Sequence, residues 1–417
     1  MRRITVVGGS LAGVHAAEAL REHGFDGDVT LVSAEDSRPY DRPPLSKQVL
    51  LGELDPAEIA LRPASWYDEQ GIDLRLGTAV RGIDARTGKL SLADGTELEY
   101  DGLVLATGSR PRALNVAGGA AGVHVLRSVE DAAALRPELV AGRHLVMVGG
   151  GFIGLEVAGA AAKLGLDVTV IEASMTPLSR RFGDDVGHWY RELHERNGVR
   201  VLCGSTLASV DVSAGAASIT LSDGRIVRGD VVVAGVGSVP AVEWLASSGI
   251  EVDDGVVCGP DLRTSVPNIV AAGDIASWRN PIFEERMRIE HWSNAVDQGR
   301  HAAATLLGAG QDFASVPYFW TDQHDTKMRF VGRTKGATDS RVERLDEDKL
   351  VVTYGRDGLL IGAVCVGSPR DMAKYKVAIH SRTPWEEKPA GAGASPIRQK
   401  AQSRTHNPSY EYQRRTA

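Results

Sequence analysis

Cysteine is scarce in this chain, and its scarcity excludes several kinds of redox site. The 417 residues include three cysteines, Cys203, Cys258 and Cys365. Three scattered thiols are too few for a disulfide scaffold or for an iron–sulfur cluster held by four thiolates of one chain. The C-x-x-C spacing of a redox-active disulfide is also missing. We therefore expect reduced thiols and a cytoplasmic location.

Long apolar runs and clustered aromatic residues are lacking as well. No stretch approaches the ~18–20 apolar residues of a membrane helix, and the N-terminus does not have the pattern of a secretory signal. Aromatic residues make up 6% of the chain and are not interleaved with basic residues, as nucleic-acid binding would require. No histidine or carboxylate cluster has metal-ligand spacing. The sequence predicts no membrane, nucleic-acid or metal binding.

Glycine, in contrast, is abundant, with 47 residues or about 11% against a usual ~7%. The apolar content of 43% and the charged content of 24% are typical of a folded protein with a sizeable core. The net charge of −7 is unevenly distributed, because residues 318–417 hold 18 Lys and Arg against 12 Asp and Glu. Such an asymmetry indicates either a docking surface for an acidic partner or simply a solvated basic end with a basic tail.

An internal repeat organises the first two thirds of the chain. ITVVGGSLAG (4–13) is echoed by LVMVGGGFIG (145–154), and LADGTELEYDGLVLATGSRP (92–111) is echoed by LSDGRIVRGDVVVAGVGSVP (221–240). Each copy opens with a buried strand, a Gly-rich turn and an Ala-rich helix, which is the beginning of a βαβ unit. TSVPNIVAAGDIA (264–276) predicts a further strand of the first unit, so the second unit is inserted within the first.

The first Gly-rich turn is typical of a dinucleotide site. It is formed by Gly8, Gly9, Ser10, Ala12 and Gly13 together with Leu11, with Ser10 at the usual position of the second glycine. Such a turn brings the backbone close to a pyrophosphate and aims a helix N-terminus at its charge. Glu35 follows the next strand, about 20 residues on.

The second turn matches G-x-G-x-x-G fully, through Gly149, Gly151 and Gly154. Glu172 ends the following strand, where a carboxylate binds the adenosine ribose and repels a 2′-phosphate, so NAD is favoured over NADP. Arg180 and Arg181 would favour NADP, because they could bind a 2′-phosphate, but they lie farther along the chain. Two dinucleotide sites, one inserted in the other, imply a flavoprotein that passes hydride from a nicotinamide to a flavin.

Six motifs resemble the FAD-dependent ferredoxin reductases of bacterial oxygenase systems. They are PYDRPPLSK (39–47), ATGSRPR (106–112), LRSVEDA (126–132), AAGDIA (271–276), EHWSNAVDQG (290–299) and FWTDQ (319–323). The resemblance implies an α/β fold with two Rossmann-like domains in the glutathione-reductase-like plan and a C-terminal α+β reductase domain. We predict an FAD-binding domain (1–112 and 245–317), an NAD-binding domain (113–244), a reductase domain (318–385) and a disordered tail (386–417).

The resemblance also implies which residues contact the two cofactors. The FAD set consists of the first Gly-rich turn with Glu35, Arg42, Lys47, Val80, Ala106, Thr107, Gly108, Arg127, Gly273, Asp274, Trp292 and Trp320. The NAD set consists of Gly149, Gly151, Phe152, Ile153, Gly154, Glu156, Glu172 and Gly237. Lys47 is expected to pair with Glu156 near the flavin, and Trp320 to pack beside it, so these three are the predicted catalytic residues. His291 and His324 are expected to be structural.

Because no redox disulfide is available, electrons are expected to pass from the flavin directly to an external acceptor. The family implies a small, acidic iron–sulfur ferredoxin that supplies a haem monooxygenase or a ring-hydroxylating dioxygenase. Position and charge predict a docking patch for it near the flavin, drawn from Arg288, Arg300, Lys327, Arg329, Arg333 and Lys335. Alternative interpretations are a rubredoxin reductase, an NADH oxidase and a redox-gated signalling flavoprotein resembling apoptosis-inducing factor. QHDTK (323–327) and the residues after Trp385 depart from the family pattern.

Overall fold

The computed structural model describes residues 1–117, 119, 121–213, 215–346, 348–367 and 372–385. Its strands are β1 (Arg3–Val7), β2 (Asp28–Val32), β3 (Ile72–Arg75), β4 (Val80–Asp84), β5 (Lys89–Leu92), β6 (Glu97–Glu99), β7 (Gly102–Leu105), β8 (Ser109–Pro111), β9 (His144–Val148), β10 (Asp167–Ile171), β11 (Val199–Leu202), β12 (Leu207–Ser213), β13 (Ala216–Leu221), β14 (Ile226–Gly229), β15 (Val231–Ala234), β16 (Ser238–Pro240), β17 (Val256–Cys258), β18 (Ile269–Ala271), β19 (Ala276–Asn280), β20 (Glu285–Arg288), β21 (Tyr318–Gln323), β22 (Thr326–Gly332), β23 (Asp339–Asp346), β24 (Lys349–Arg356) and β25 (Leu359–Val366).

Its helices are α1 (Leu11–Glu22), α2 (Gln48–Leu51), α3 (Ala64–Glu69), α4 (Val129–Leu135), α5 (Phe152–Lys163), α6 (Ser179–Phe182), α7 (Asp184–Arg196), α8 (Trp292–Leu306) and α9 (Met372–His380). None of the helices in the described part of the chain is long and apolar enough to cross a membrane. The predicted tail lies outside the described residues.

A five-stranded parallel sheet is built from the first and the resumed parts of the chain. Its order is β18-β7-β1-β2-β3, with β1 paired to both β2 and β7. Its central strands are almost continuously apolar and buried, as both faces of a parallel sheet require. Because the strands are parallel, the loops after β1, β2, β7 and β18 all emerge at one edge, where such folds bind ligands.

The inserted segment forms a second parallel sheet with the order β11-β10-β9-β15. Gly149 follows β9, Glu172 follows β10 and Gly235 follows β15, so these residues also meet at one carboxyl edge. The three-stranded sheet β12-β13-β14 covers an apolar cluster on this sheet that includes Val146 and Ile219.

The segment from Tyr318 forms a third, antiparallel sheet with the order β21-β22-β25-β24-β23. Helix α9 packs against β25 and β22. Strand β21 also contacts α5 and α8, which brings this sheet to the two dinucleotide units. The two parallel sheets and the third α+β unit fit the predicted fold class. The exact domain boundaries remain a prediction.

Candidate active site

The first cleft lies at the carboxyl edge of the five-stranded sheet and has a volume of about 570 Å³. Its floor requires glycine: a Cβ on Gly8 would lie 2.1 Å from the carbonyl oxygen of Ala106, and one on Gly9 would lie 2.5 Å from Cβ of Ser33. Gly8 also has φ of +120°, which L side chains rarely adopt. The turn therefore offers bare backbone to a ligand, as dinucleotide binding requires.

Nearly all residues of the predicted FAD set line this cleft. They are Gly8, Gly9, Ser10, Ala12, Glu35, Arg42, Lys47, Val80, Ala106, Thr107, Gly108, Arg127, Gly273, Asp274, Trp292 and Trp320. Gly13 has a different role, because its place is behind the turn, where a Cβ would meet the carbonyl oxygen of Gly8 at 1.9 Å. It allows α1 to pack closely on β1 and so positions the helix N-terminus.

Charged side chains fix the wall of the first cleft. Arg42 Nη2 lies 2.5 Å from Glu35 Oε1, and Arg42 Nη1 donates to the carbonyl oxygen of Arg127 at 2.6 Å. Tyr40 Oη donates to Glu35 Oε2 at 2.5 Å, and burial raises the pKa of Tyr40. Arg127 Nη2 lies 3.4 Å from Asp274 Oδ2. These contacts hold two cations and two carboxylates along the cleft.

The second cleft lies at the carboxyl edge of the inserted sheet and has a volume of about 820 Å³. It is lined by Gly149, Gly151, Phe152, Ile153, Gly154, Glu172 and Gly237, together with Arg180 and Arg181. Glu172 Oε2 accepts a hydrogen bond from the Gly150 backbone at 2.7 Å. The carboxylate expected to select NAD is thus fixed beside the Gly-rich turn.

The two clefts meet, because both are lined by Phe152, Ile153 and Phe319. The rings of Phe152 and Phe319 lie 4.3 Å apart and connect α5 to β21. His291 lines both clefts as well, and its burial lowers its pKa to about 3. Two ligands, one in each cleft, would therefore approach each other at this junction.

A buried ion pair stands beside the junction. Lys47 Nζ lies 3.0 Å from Glu156 Oε2, and the two side chains are 16% and 7% exposed. Ser46 Oγ donates to the same Glu156 oxygen at 2.5 Å, and Thr321 Oγ1 donates to Oε1 at 2.6 Å. Lys47 follows the Pro43–Ser46 turn of the first dinucleotide unit and Glu156 lies on α5 of the inserted unit, so the pair connects the two units. In this low-dielectric setting a fixed charge pair acts strongly on a reacting group.

Aromatic side chains cover the outer side of the first cleft. The ring of Trp320 lies 5.9 Å from that of Trp292 and 6.0 Å from that of Tyr318, on which it stacks. Trp292 Nε1 donates to Asp41 Oδ1 at 2.7 Å, and burial raises the pKa of Asp41. Trp292 remains 37% exposed, so this aromatic wall reaches the protein surface.

Comparison with known proteins identifies the family. Residues 2–299 match the model of the pyridine nucleotide-disulphide oxidoreductases, and residues 318–401 match the reductase C-terminal domain. The chain belongs to this oxidoreductase family. The chain is 40% identical to rhodocoxin reductase of Rhodococcus erythropolis over 90% of this chain and 88% of that protein. It is 41% identical to the ferredoxin–NAD(+) reductase component of the anthranilate 1,2-dioxygenase system of Burkholderia cepacia, over 88% and 91%.

The same fold is found in a solved oxidoreductase of this family. The covalent putidaredoxin reductase–putidaredoxin complex matches with a TM-score of 0.88 and 34% identity, over 92% of this chain and 94% of that chain. The predicted fold class, the resemblance and the assignment as an oxidoreductase that uses FAD and NAD(H) are thus confirmed. The roles of individual residues toward the cofactors remain predictions.

The docking patch predicted for this oxidoreductase is largely neutralised by ion pairs. Arg300 pairs with Glu18 and Glu22, and Arg329 with Asp322. Two further members are also paired: Arg288 binds Asp254 and Glu290, and Arg333 binds Glu285 while being 8% exposed. The exposed lysines Lys327 and Lys335 are the remaining members. The prediction was wrong for Arg333. Its charge suggested an exposed cation, but the side chain is buried and pairs with Glu285.

Three residues of the site were missed by sequence analysis. Ser46 and Thr321 both bind Glu156, and each adjoins a motif residue that was selected, Lys47 and Trp320 respectively. His194 contacts Gln323 from α7, 129 positions away, and no local pattern indicates that contact. The signal for Ser46 and Thr321 was their place inside PPLSK and FWTDQ.

Proposed function

We propose that this chain is an NADH–ferredoxin reductase that supplies electrons to an oxygenase system. The supporting observation is the Lys47–Glu156 ion pair beside the junction of two dinucleotide clefts. None of the three cysteines, all within the described residues, lines either cleft. A flavin reduced at this junction would therefore pass its electrons directly to another protein.

The geometry of the first cleft suits FAD. The bare backbone of Gly8 and Gly9 would face the pyrophosphate, and Arg42 and Arg127 supply positive charge along the same wall. The remaining lining residues named above complete the FAD set. FAD, when bound, takes up a hydride from NADH and gives up its two electrons one at a time.

The second cleft suits NADH. Gly149, Gly151 and Gly154 would receive the pyrophosphate at the N-terminus of α5, and Glu172 the adenosine ribose. Phe152 and Glu156 stand on the first turns of the same helix, toward the first cleft. We propose that Glu156 orients the nicotinamide end and that Lys47 stabilises negative charge opposite it.

The electron acceptor is proposed to be a small ferredoxin that docks at the aromatic wall. Trp292 and Trp320 both line the first cleft with their rings 5.9 Å apart, and Trp292 is 37% exposed, so this aromatic pair leads from the cleft to the surface. Lys327 lies on β22 next to β21, which carries Trp320, and offers a cation to an acidic partner. A cytoplasmic location is also proposed, since none of the three described cysteines forms a disulfide.

The test is NADH-dependent cytochrome c reduction by the FAD-loaded protein, with and without a two-iron ferredoxin, at low and high salt. We expect strong stimulation by ferredoxin that weakens as salt rises, because charge steering is screened. Rubredoxin and oxygen serve as alternative acceptors in parallel. Equal rates with and without ferredoxin would contradict the proposal and favour an oxidase. Slow reoxidation by every acceptor would favour a signalling flavoprotein.

A further inference from the structure

A chain of hydrogen bonds leads from the ion pair to the surface. Thr321 Oγ1 lies 2.6 Å from Glu156 Oε1, and Gln323 Nε2 lies 3.1 Å from Thr321 Oγ1. Gln323 Oε1 lies 2.9 Å from His194 Nε2, and His194 Nδ1 lies 3.2 Å from His324 Nε2. Thr321, Gln323 and His194 are at most 2% exposed, whereas His324 is half-buried.

The direction of every bond in this chain follows from chemistry. The Glu156 carboxylate beside Lys47 can only accept, so the Thr321 hydroxyl must donate to it. That hydroxyl then has only its lone pairs left, so Gln323 must present its N–H to Thr321 and its carbonyl oxygen to His194. His194 therefore carries its proton on Nε2 and accepts from His324 at Nδ1.

The burial of both histidines agrees with these neutral forms. Burial lowers the pKa of His194 to about 4, and it also lowers the pKa of His324. The charged groups that face His324 are Asp325 and Arg196. Each ring can thus donate through one nitrogen and accept through the other at neutral pH.

His324 occupies a backbone position that costs free energy. It stands in the two-residue turn between β21 and β22 with φ of +49°, where Gly, Asn or Asp is usual. Its ring lies against α5, 3.6 Å from where a Cβ on Gly159 would be. This turn also belongs to QHDTK, the segment that departs from the family pattern.

We propose that Thr321, Gln323 and His194 are positioning residues, which with His324 form a one-way chain of donated hydrogen bonds that holds Glu156 as a fixed anion. With Ser46 and Lys47 on Oε2, the chain gives both oxygens of Glu156 a donor. Successive donated bonds that end on a charge strengthen one another. Tyr190 of α7 also faces Glu156, and burial raises its pKa, so it stays neutral.

A proton path is the competing interpretation, and Gln323 argues against it. A carboxamide offers donors and an acceptor but has no ordinary acid–base equilibrium, so it does not pass a proton along the chain. The inference rests on the proposed function, since Glu156 matters for turnover only if NADH reduces the site.

The decisive variants are Thr321→Val, Thr321→Ser and Gln323→Met in the FAD-loaded protein. Anaerobic stopped-flow reduction by NADH is followed from pH 5 to pH 9. We expect Thr321→Val to lower the limiting rate about tenfold, with little change in the NADH dissociation constant, and to move the acid limb of the profile upward by about one pH unit. Thr321→Ser, which keeps the hydroxyl, should restore the wild-type profile. Gln323→Met should be slow as well, because it removes both the amide donor to Thr321 and the carbonyl acceptor for His194.

Thr169→Val is the matched control. Thr169 is 2% exposed on β10, and its hydroxyl lies 2.9 Å from His144 Nε2, so the variant also removes a buried threonine–histidine bond. We expect it to leave the pH profile unchanged. A Thr321→Val profile equal to that of Thr321→Ser would overturn the inference, and so would a fully active Gln323→Met.

A second readout does not depend on turnover. In ¹⁵N-histidine spectra of the holoprotein, assigned with His194→Gln, we expect His194 to be a single tautomer with its proton on Nε2. Thr321→Val frees the Gln323 amide to turn, so both tautomers should appear. A proton on Nδ1 in the wild type, or a single unchanged tautomer in Thr321→Val, would overturn the inference. A wild type that NADH does not reduce would instead contradict the proposed function. The spectra would still test the direction of the hydrogen bonds between Glu156 and His324.

Discussion

The backbone N–H of Gly150 donates a 2.7 Å hydrogen bond to Oε2 of Glu172, while the backbone N–H of Ser174 donates to Oε1 at 2.7 Å. Both carboxylate oxygens are therefore held by backbone at the carboxyl edge of the inserted sheet. The negative charge at this edge is fixed in place instead of swinging on a flexible side chain. A fixed charge discriminates better between ligands that differ by one phosphate.

Glu172→Gln should weaken the preference for NADH over NADPH. The amide keeps an oxygen for one backbone donor but removes the charge that would repel a 2′-phosphate. We expect the ratio of kcat/KM for NADH to that for NADPH to fall by about tenfold or more, equivalent to about 1.4 kcal/mol. Glu195→Gln, at an exposed position paired with Arg191, is the control. An unchanged ratio in Glu172→Gln would show that another residue selects the coenzyme.

Lys47→Met should impair both reduction and stability. It leaves Glu156, which is 7% exposed, without its cation. We expect the rate of FAD reduction by NADH to fall about 100-fold and the free energy of unfolding to fall by about 2 kcal/mol. Lys163→Met removes the exposed pair with Glu53, with side chains 64% and 48% exposed, and should change stability by about 0–1 kcal/mol. Equal effects of the two variants would refute the role of the buried pair.

Gly8→Ala should abolish FAD binding. Its Cβ would lie 2.1 Å from the carbonyl oxygen of Ala106, and the φ of +120° strains any L side chain. We expect purified protein without yellow colour. Gly82→Ala on β4 is the control, because no heavy atom lies within 4 Å of its Cβ position. Retention of stoichiometric FAD by Gly8→Ala would contradict the close approach of the loop that follows β1 to the loop that follows β7.

Because two histidines are buried, we expect acid to destabilise the fold. Burial lowers the pKa of His194 to about 4 and that of His291 to about 3, against 6.5 when unfolded. Between these values and pH 6.5 the unfolded chain binds more protons than the folded one, so stability rises with pH in this window and is lost as pH falls. Each histidine contributes up to about 1.4 kcal/mol per pH unit. Urea midpoints at pH 7, 6 and 5 measure the slope, which His291→Phe should reduce. Equal midpoints at pH 7 and pH 5 would contradict the burial of neutral rings.

Local motifs were enough to predict both clefts. Gly8 and Gly149 each lie in the turn between a strand and the helix that follows it, and these relations lie within about ten residues of sequence. The pairing of Lys47 with Glu156 spans 109 positions, and the resemblance to a family supplied it. Geometry then confirmed their contact.

Contacts between distant elements could not be predicted in the same way. Arg333 belongs to a basic region in sequence, yet it pairs with Glu285 and is buried. His194 lies on α7 with no motif around it, and its partner Gln323 is fixed only when β21 packs against α5. Side-chain partners brought together by tertiary packing leave no local pattern in the chain.

The most direct test of the account is electron counting without oxygen. A catalytic amount of the FAD-loaded protein is mixed with a known amount of NADH and an excess of oxidised two-iron ferredoxin. The absorbance of NADH and that of the ferredoxin cluster are followed. Because NADH gives two electrons and the cluster takes one, we expect two ferredoxins to be reduced for each NADH oxidised. NADH that is consumed only after oxygen is admitted, with the ferredoxin still oxidised, would contradict the account.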